Sequence, residues 1–417
     1  MREIVYNLAM TEAAGPLAGI RVLELGSFIA GPFAGQLLGD YGAEVVKIES
    51  TATGDPMRRW GINLDGESLW WPIIARNKRS VALDLRDEQA RVLLRRLVGE
   101  VDVVVENFRP GTLTEWGLDY QALSAINPRL VMTHVSGFGQ TGPRAREAGF
   151  GSVGEAMGGI RHTTGTPGLP PARSGVSLGD SLSGMFAVIG TLAALVERDR
   201  SGHGQEVDVA IYEAVAALME STLVDHEVAG VTRGRTGSVL PGVAPSNVYP
   251  TRDGAEVLIA ANADTVFGRL VTAMEAAELA ADPRFAGHAD RGRHQAELDT
   301  IIAAWTATVT SDDLLALLEK HGVPAGRIYT AADMLADPHY AAREMVVRLV
   351  NAAGRSLPAV GVVPKFSRTR PGVPVAGPRL GEHTDEILQT LAGATAAELA
   401  ALDARGAVRR SGTAAAP

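Results

Sequence analysis

Four short runs in the first third of the chain are predominantly apolar rather than alternating: Ile20-Arg21-Val22-Leu23-Glu24-Leu25, Ala43 to Ile48, Val101 to Val105 and Leu130 to Val135. A strand without an alternating pattern is buried on both faces, the condition of a parallel sheet covered by helices. Helical patterns fall between some of these runs, over Pro32 to Leu38, Glu88 to Leu97 and Leu118 to Ile126. Strand and helix in alternation predict an α/β fold, with a Rossmann-like large domain built on a parallel sheet. At 417 residues and 46% hydrophobic content the chain has enough apolar material for a second domain as well.

Gly15-Pro16 precedes the first regular pattern, so residues 1–15 are expected to be an extension and the large domain to span 16–224. A long helix is expected from about Ser181 to Arg198. Gly202-His203-Gly204 then turns the chain into a strand at Glu206 to Val209 and a helix through Met219. Residues 229 to 250 are rich in Gly, Pro, Thr and Ser and read as a linker or active-site loop. A smaller α+β domain is expected over 225–341, with a strand at Ala255 to Ala260 and helices near Thr265 to Met274, Gln295 to Val309 and Ser311 to His321. The last helix is expected at Thr384 to Leu391, with an Ala-rich, frayed tail beyond it.

The formal charge of -9, without a dense basic cluster, argues against a nucleic-acid partner. The absence of Cys excludes disulfides and thiolate catalysis and fits a reducing compartment. No export segment is evident and no stretch looks apolar enough to span a bilayer, so a cytoplasmic protein without a membrane partner is expected. The loop Gly26-Ser-Phe-Ile-Ala-Gly31-Pro32-Phe-Ala-Gly35 lies where a dinucleotide fingerprint would, but lacks GxGxxG spacing, which disfavours a nicotinamide cofactor.

Gly175-Val176-Ser177-Leu178-Gly179 matches a serine nucleophile elbow, yet the segment before it, Thr166 to Arg173, reads as loop rather than core strand. Asp180 is the stronger candidate. It stands immediately before the long helix, where it can be an N-cap, or a nucleophile kept ionised by the helix terminus. The residues alone leave both roles open.

The run Gly179-Asp180-Ser-Leu-Ser-Gly184-Met-Phe-Ala-Val-Ile-Gly190, followed by Ser201-Gly-His-Gly-Gln205, resembles the signature of the class III coenzyme A-transferases. Gly42-Ala-Glu-Val-Val-Lys47-Ile-Glu49, Glu106-Asn107-Phe108-Arg109-Pro110-Gly111, Gly137-Phe-Gly-Gln-Thr-Gly-Pro143 and Leu380-Gly-Glu-His383 resemble the same family in the same order. The resemblance implies that Asp180 attacks an acyl-CoA thioester, and that CoA and a carboxylic acid are substrates, with no tightly bound cofactor and no metal. It carries CoA contacts onto Ile29, Ala30, Leu83, Asp84, Leu85, Arg86, Asn107, Phe108, Arg109, Gly149, Phe150 and Gly151. It also implies that residues 342–417 return to the large domain and that two chains interlock as a homodimer.

Departures from the family pattern matter too. Ser50 stands where an arginine commonly follows Lys-Ile-Glu, which shifts phosphate binding toward Arg86 and Arg109, or Arg58 and Arg59. Ile29 replaces the glutamine of formyl-CoA transferases. The related acyl-CoA racemases use a histidine in a Gly-His-Asp motif, and here the matching residues are Gly149-Phe150-Gly151, which leaves that chemistry without its base. A catalytically silent acyl-CoA binder is the third reading, disfavoured by the presence of Asp180. Arg161 and Arg173 are candidates to hold a second substrate carboxylate, and the stretch Gly237 to Gly242 a candidate flexible cover.

Overall fold

The structure, a computed structural model, describes residues 15–411, so the expected N-terminal extension lies outside the described residues apart from Gly15. The chain divides into two compact units. The first comprises residues up to Arg161, Ser174–Glu227 and Ala342 onward, and the second His162–Arg173 and Val228–Ala341.

The first unit is organised by a seven-stranded sheet. Its strands are β1 (Arg21–Glu24), β2 (Glu44–Glu49), β3 (Lys78–Leu83), β4 (Val103–Glu106), β5 (Val131–Ser136) and β6 (Glu206–Ala210), with a short C-terminal strand, Val408–Arg409. The spatial order is C-terminal strand, β3, β2, β1, β4, β5, β6. All pairings are parallel except that of Val408 with Leu83, which is antiparallel. The chain order reverses between β1 and β4, the place where open α/β sheets bind ligands beyond their strand ends.

The two faces of the sheet feed two cores, because neighbouring residues of a strand point in opposite directions. Leu23, Val46, Val81 and Val104 pack with Leu93, Leu94 and Leu97 of helix α2 (Glu88–Val98). Val22, Val45, Val103 and Val105 pack on the other face against α1 (Ala30–Asp40), and with them lie Ala187, Val188, Ala194 and Leu195 of the long helix Leu178–Ser201. That helix has the length and apolarity to cross a membrane, with a mean hydropathy of 1.5, and half of its most apolar stretch is buried inside the fold. The expectation that no segment is so apolar is therefore corrected: packing on α1 and the sheet accounts for its composition.

Two further corrections concern the sheet's edge. β3 is missed by the sequence reading because it opens with Lys78-Arg79, and charged residues signal a surface; Lys78 is in fact buried against Glu24, with Nζ 2.7 Å from Oε2. The tail expected to fray beyond Leu391 instead forms the helix Ala396–Asp403 before the last strand. A capping box of Thr395 and Glu398 starts this helix, and Leu399 and Leu402 anchor it in the core.

The second unit holds a three-stranded antiparallel sheet of Ala325–Arg327, Glu256–Ala260 and Ser246–Pro250. Tyr249, Val257 and Ile259 pack there with Phe267, Leu298, Ile302, Leu314 and Leu318 of its helices. The sequence reading leaves residues 162–173 in the large domain, whereas they cluster with this unit.

Candidate active site

Asp180 is not the N-cap. The long helix starts three residues earlier than its apolar pattern suggests, because Leu178 joins Leu182, one turn on, in a small core with Ala214 and Val215 of the helix Ile211–Ala216. Ser177 is the cap residue, without a side-chain bond, and Asp180 occupies the third helical position, where the helix dipole favours an anion. Residues 164–177, directly before and within the Gly175–Gly179 segment, form no strand, so the serine elbow lacks its structural context.

Glycines set the surroundings of Asp180. We number the helix Gly151–Met157 as α3 and the long helix as α4. A β-carbon on Gly151 would lie 2.2 Å from Asp180 Oδ2, one on Gly179 would lie 2.9 Å from the Gly151 carbonyl oxygen, and one on Gly184 would lie 2.9 Å from the Ala30 carbonyl oxygen. Side chains at Gly179 and Gly184 would meet backbone and push α4 away from α3 and α1, whereas one at Gly151 would meet only the Asp180 carboxylate. Gly179 and Gly184 are therefore requirements of close packing. Beneath them the Gly179 N–H donates to Glu155 Oε1 at 3.2 Å, and Arg161 Nε donates to Glu155 Oε2 at 2.9 Å. The Glu155 side chain is 1% exposed.

A cleft of about 350 Å³ opens at the carboxyl ends of β1, β2, β3 and β4. Leu83, Asp84, Leu85, Arg86 and Phe108 line it, together with Ile48, Ser50, Gly54 and Trp116. Phe108 and Trp116 meet edge to face, with ring centres 5.4 Å apart. Other residues implicated by the sequence lie elsewhere. Ile29 and Ala30 are buried, Ile29 among Met57, Trp71 and Ile74 and Ala30 in the core under α1. Asn107 serves the loop that follows β1: its Oδ1 accepts from Ser27 N–H and its Nδ2 donates to Ser27 O, both at 2.8 Å. Arg109 donates to the carbonyl of Arg146. Of the four arginines considered for phosphate, Arg86 folds back onto Asp84 at 2.7 Å while three-quarters exposed. Arg58 is engaged with Glu49 at 2.7 and 2.8 Å and lies 3.8 Å over the Trp71 ring, and Arg59 is exposed.

The sequence reading missed a buried ion cluster under the cleft. Lys47 Nζ lies 2.8 Å from Glu24 Oε1, 2.8 Å from Asp55 Oδ2 and 2.7 Å from Gly26 O. Burial by itself would drive the Lys47 pKa down, but the carboxylates of Asp55 and Glu24 outweigh it and raise the pKa, so the amine stays charged. Burial likewise pushes Asp55 up, and Lys47 overcomes it and holds that carboxyl below its usual range. Asp55 Oδ1 in turn accepts from Phe28 N–H at 3.2 Å and Met57 N–H at 2.9 Å. Lys47, Asn107 and Asp55 thus grip Gly26, Ser27 and Phe28 in succession. Phe28 is held at φ 64°, a conformation that side chains rarely adopt. The charged positions in Glu-Val-Val-Lys47-Ile-Glu49, inside an otherwise apolar strand, were the available signal.

Phe28 connects the cleft to the nucleophile. Its ring stands edge-on to Trp60 at 5.3 Å and to Phe150 at 6.4 Å, and Phe150 immediately precedes the glycine that backs Asp180. Arg173 and the stretch Gly237 to Gly242 belong to the second unit.

A doubly wound α/β unit with a cleft at its strand reversal and a carboxylate in the first turn of a neighbouring helix has the build of a ligand-binding α/β protein. Comparison with known proteins narrows this. Residues 17–384 match the model of CoA-transferase family III, and the chain belongs to that family. It is 56% identical over 391 residues to succinyl-CoA–D-citramalate CoA-transferase of Chloroflexus aurantiacus, covering 94% of this chain and 97% of that one. It is 37% identical to succinate–glutarate CoA-transferase of Agrobacterium fabrum, over 90% of this chain and 96% of the relative. Among solved structures, a CaiB/BaiF family protein from Brucella suis superposes with a TM-score of 0.79 at 39% identity, covering 91% of this chain and all (100%) of the other. The chain is an enzyme that transfers coenzyme A.

Proposed function

We propose that the chain moves CoA from succinyl-CoA to a dicarboxylic acid, with Asp180 as the group that is acylated. The observation that carries this reading is the placement of the Asp180 carboxylate in the first turn of α4, against Gly151, in a chain whose relatives are named as succinyl-CoA or succinate transferases acting with citramalate and glutarate. An Asp180 oxygen attacks the thioester carbonyl; the C–S bond breaks, and CoA leaves as a thiolate from a mixed anhydride. The thiolate then attacks the Asp180 carbonyl, releasing the donor as its carboxylate and leaving an aspartyl-CoA thioester. The acceptor carboxylate reopens that thioester to a second anhydride, and the thiolate takes the acceptor acyl group, restoring Asp180. Each exchange passes between activated carboxyls, so the thioester's free energy is kept. The cleft lined by Leu83 to Arg86, Phe108 and Trp116 holds the nucleotide part of CoA in this reading. Two chains form the working dimer, which light scattering at twice the chain mass tests.

The experiment is to incubate the protein with succinyl-CoA and hydroxylamine, followed by peptide mass spectrometry. A hydroxamate at Asp180, absent from the Asp180→Asn variant, is expected. Undiminished transfer by that variant, with its fold intact, overturns the reading. The racemase alternative has no support at Phe150, which carries no exchangeable proton; alpha-carbon deuterium uptake from heavy water would reinstate it.

A further inference from the structure

We infer that Glu155, paired with Arg161, is a positioning residue that holds the first turn of α4 in place while Asp180 gains and loses charge; this rests on the reading of Asp180 as the acylated group. Glu155 projects from α3 with one oxygen on the Gly179 N–H at 3.2 Å and the other on Arg161 Nε at 2.9 Å. It is almost wholly buried, whereas Arg161 is 23% exposed. As a helix cap alone this is a costly arrangement. A neutral side chain can accept one N–H bond, while a buried carboxylate must be taken out of water and neutralised by a partner.

The reaction supplies a reason for a fixed anchor at this turn. With Asp180 ionised, the dipole of α4 attracts its carboxylate and helps to hold the first turn. Once acylated, Asp180 is neutral and that attraction is lost, at the stages when its carbonyl must be presented to the thiolate and then to the acceptor. The bond from Gly179 to Glu155 does not depend on the state of Asp180. It ties the residue immediately before the nucleophile to α3, the helix whose Gly151 backs the Asp180 carboxylate. Arg161 pairs with Glu155 and offsets its charge, so that no uncompensated second negative charge bears on the nucleophile. Glu155 touches no reacting atom in this scheme.

The test is steady-state transfer by the full chain, with succinyl-CoA and a dicarboxylic acid, in Glu155→Leu, Glu155→Gln and Arg161→Met variants. Glu155→Leu is expected to lower kcat by about 10- to 100-fold, the scale of a misplaced reacting group, with KM for succinyl-CoA changed by less than about twofold because the cleft is built by other loops. Glu155→Gln keeps an acceptor for the Gly179 N–H and is expected to recover most of the lost kcat. Arg161→Met leaves Glu155 without its counter-charge and is expected to lower kcat as well. Circular dichroism checks the fold; if Glu155→Leu does not fold, Arg161→Met carries the same kinetic expectation. A folded Glu155→Leu enzyme with unchanged kcat, a loss confined to KM, or Glu155→Gln no better than Glu155→Leu overturns the inference. Should Asp180→Asn also retain full transfer, the reading of the nucleophile itself fails; an inactive Asp180→Asn beside a fully active Glu155→Leu removes only the positioning role.

Discussion

Asp180 Oδ2 sits 2.2 Å from the point a β-carbon of residue 151 would occupy, so the carboxylate fills the space that Gly151 leaves empty. The atom in the way is the far end of a side chain. A Gly151→Ala substitution should therefore displace the carboxylate and leave the fold in place. The expected result is a kcat reduced about 100-fold with a cost to stability of only about 1 kcal/mol, read by transfer kinetics and urea unfolding.

Lys47 neutralises two carboxylates that have almost no access to water, those of Glu24 and Asp55. Replacing it by Met leaves Asp55 without a cation in the core under the cleft and Glu24 with Lys78 alone. Lys47→Met is expected to lose about 3–5 kcal/mol of stability, seen as a fall in the urea midpoint.

His134 gives the fold a pH dependence. Burial pulls its pKa down, but the bond to Glu106 at 2.6 Å and the charges of Glu106 and Glu206 raise it above the ordinary 6.5. A folded-state pKa above the unfolded value means that the contribution is complete below about pH 6.5 and is lost as pH rises through the folded value. Melting temperatures from pH 6 to 9 should show this decline in the parent chain and a flatter profile in His134→Gln.

Trp116 is the aromatic wall of the cleft, touching Phe108. If the nucleotide part of CoA lies there, Trp116→Ala should raise KM for succinyl-CoA about tenfold, a contact energy of about 1.4 kcal/mol, and leave kcat nearly unchanged. An unchanged KM would place the nucleotide elsewhere.

The alternation of buried strand and helix was readable because each parallel strand is apolar enough to declare itself. β3 escaped because Lys78 is satisfied by Glu24 and the carbonyl of Pro32, 54 and 46 positions earlier in the chain, and no local pattern reports such partners. The same holds for the grip of Lys47, Asn107 and Asp55 on the loop after β1, which joins side chains from three segments. Asp180 could be picked out as a candidate from its helix, but its exact turn depended on Leu178 finding Ala214 and Val215. The helix from Ala396 was a different failure, since Thr395 and Glu398 already spelled its capping box in the sequence.

The strand Val408–Arg409, at one edge of the sheet, comes from a segment far along the chain from the strand it covers. Its neighbour β3 feeds directly into Leu83 to Arg86 on the cleft wall, so a nascent chain carries that wall with an unpaired backbone rim until Val408–Arg409 has been made. Termination between the long helix and Val408 would yield a polypeptide with most of the sheet's strands and a sticky open border, a species suited to aggregation rather than to catalysis.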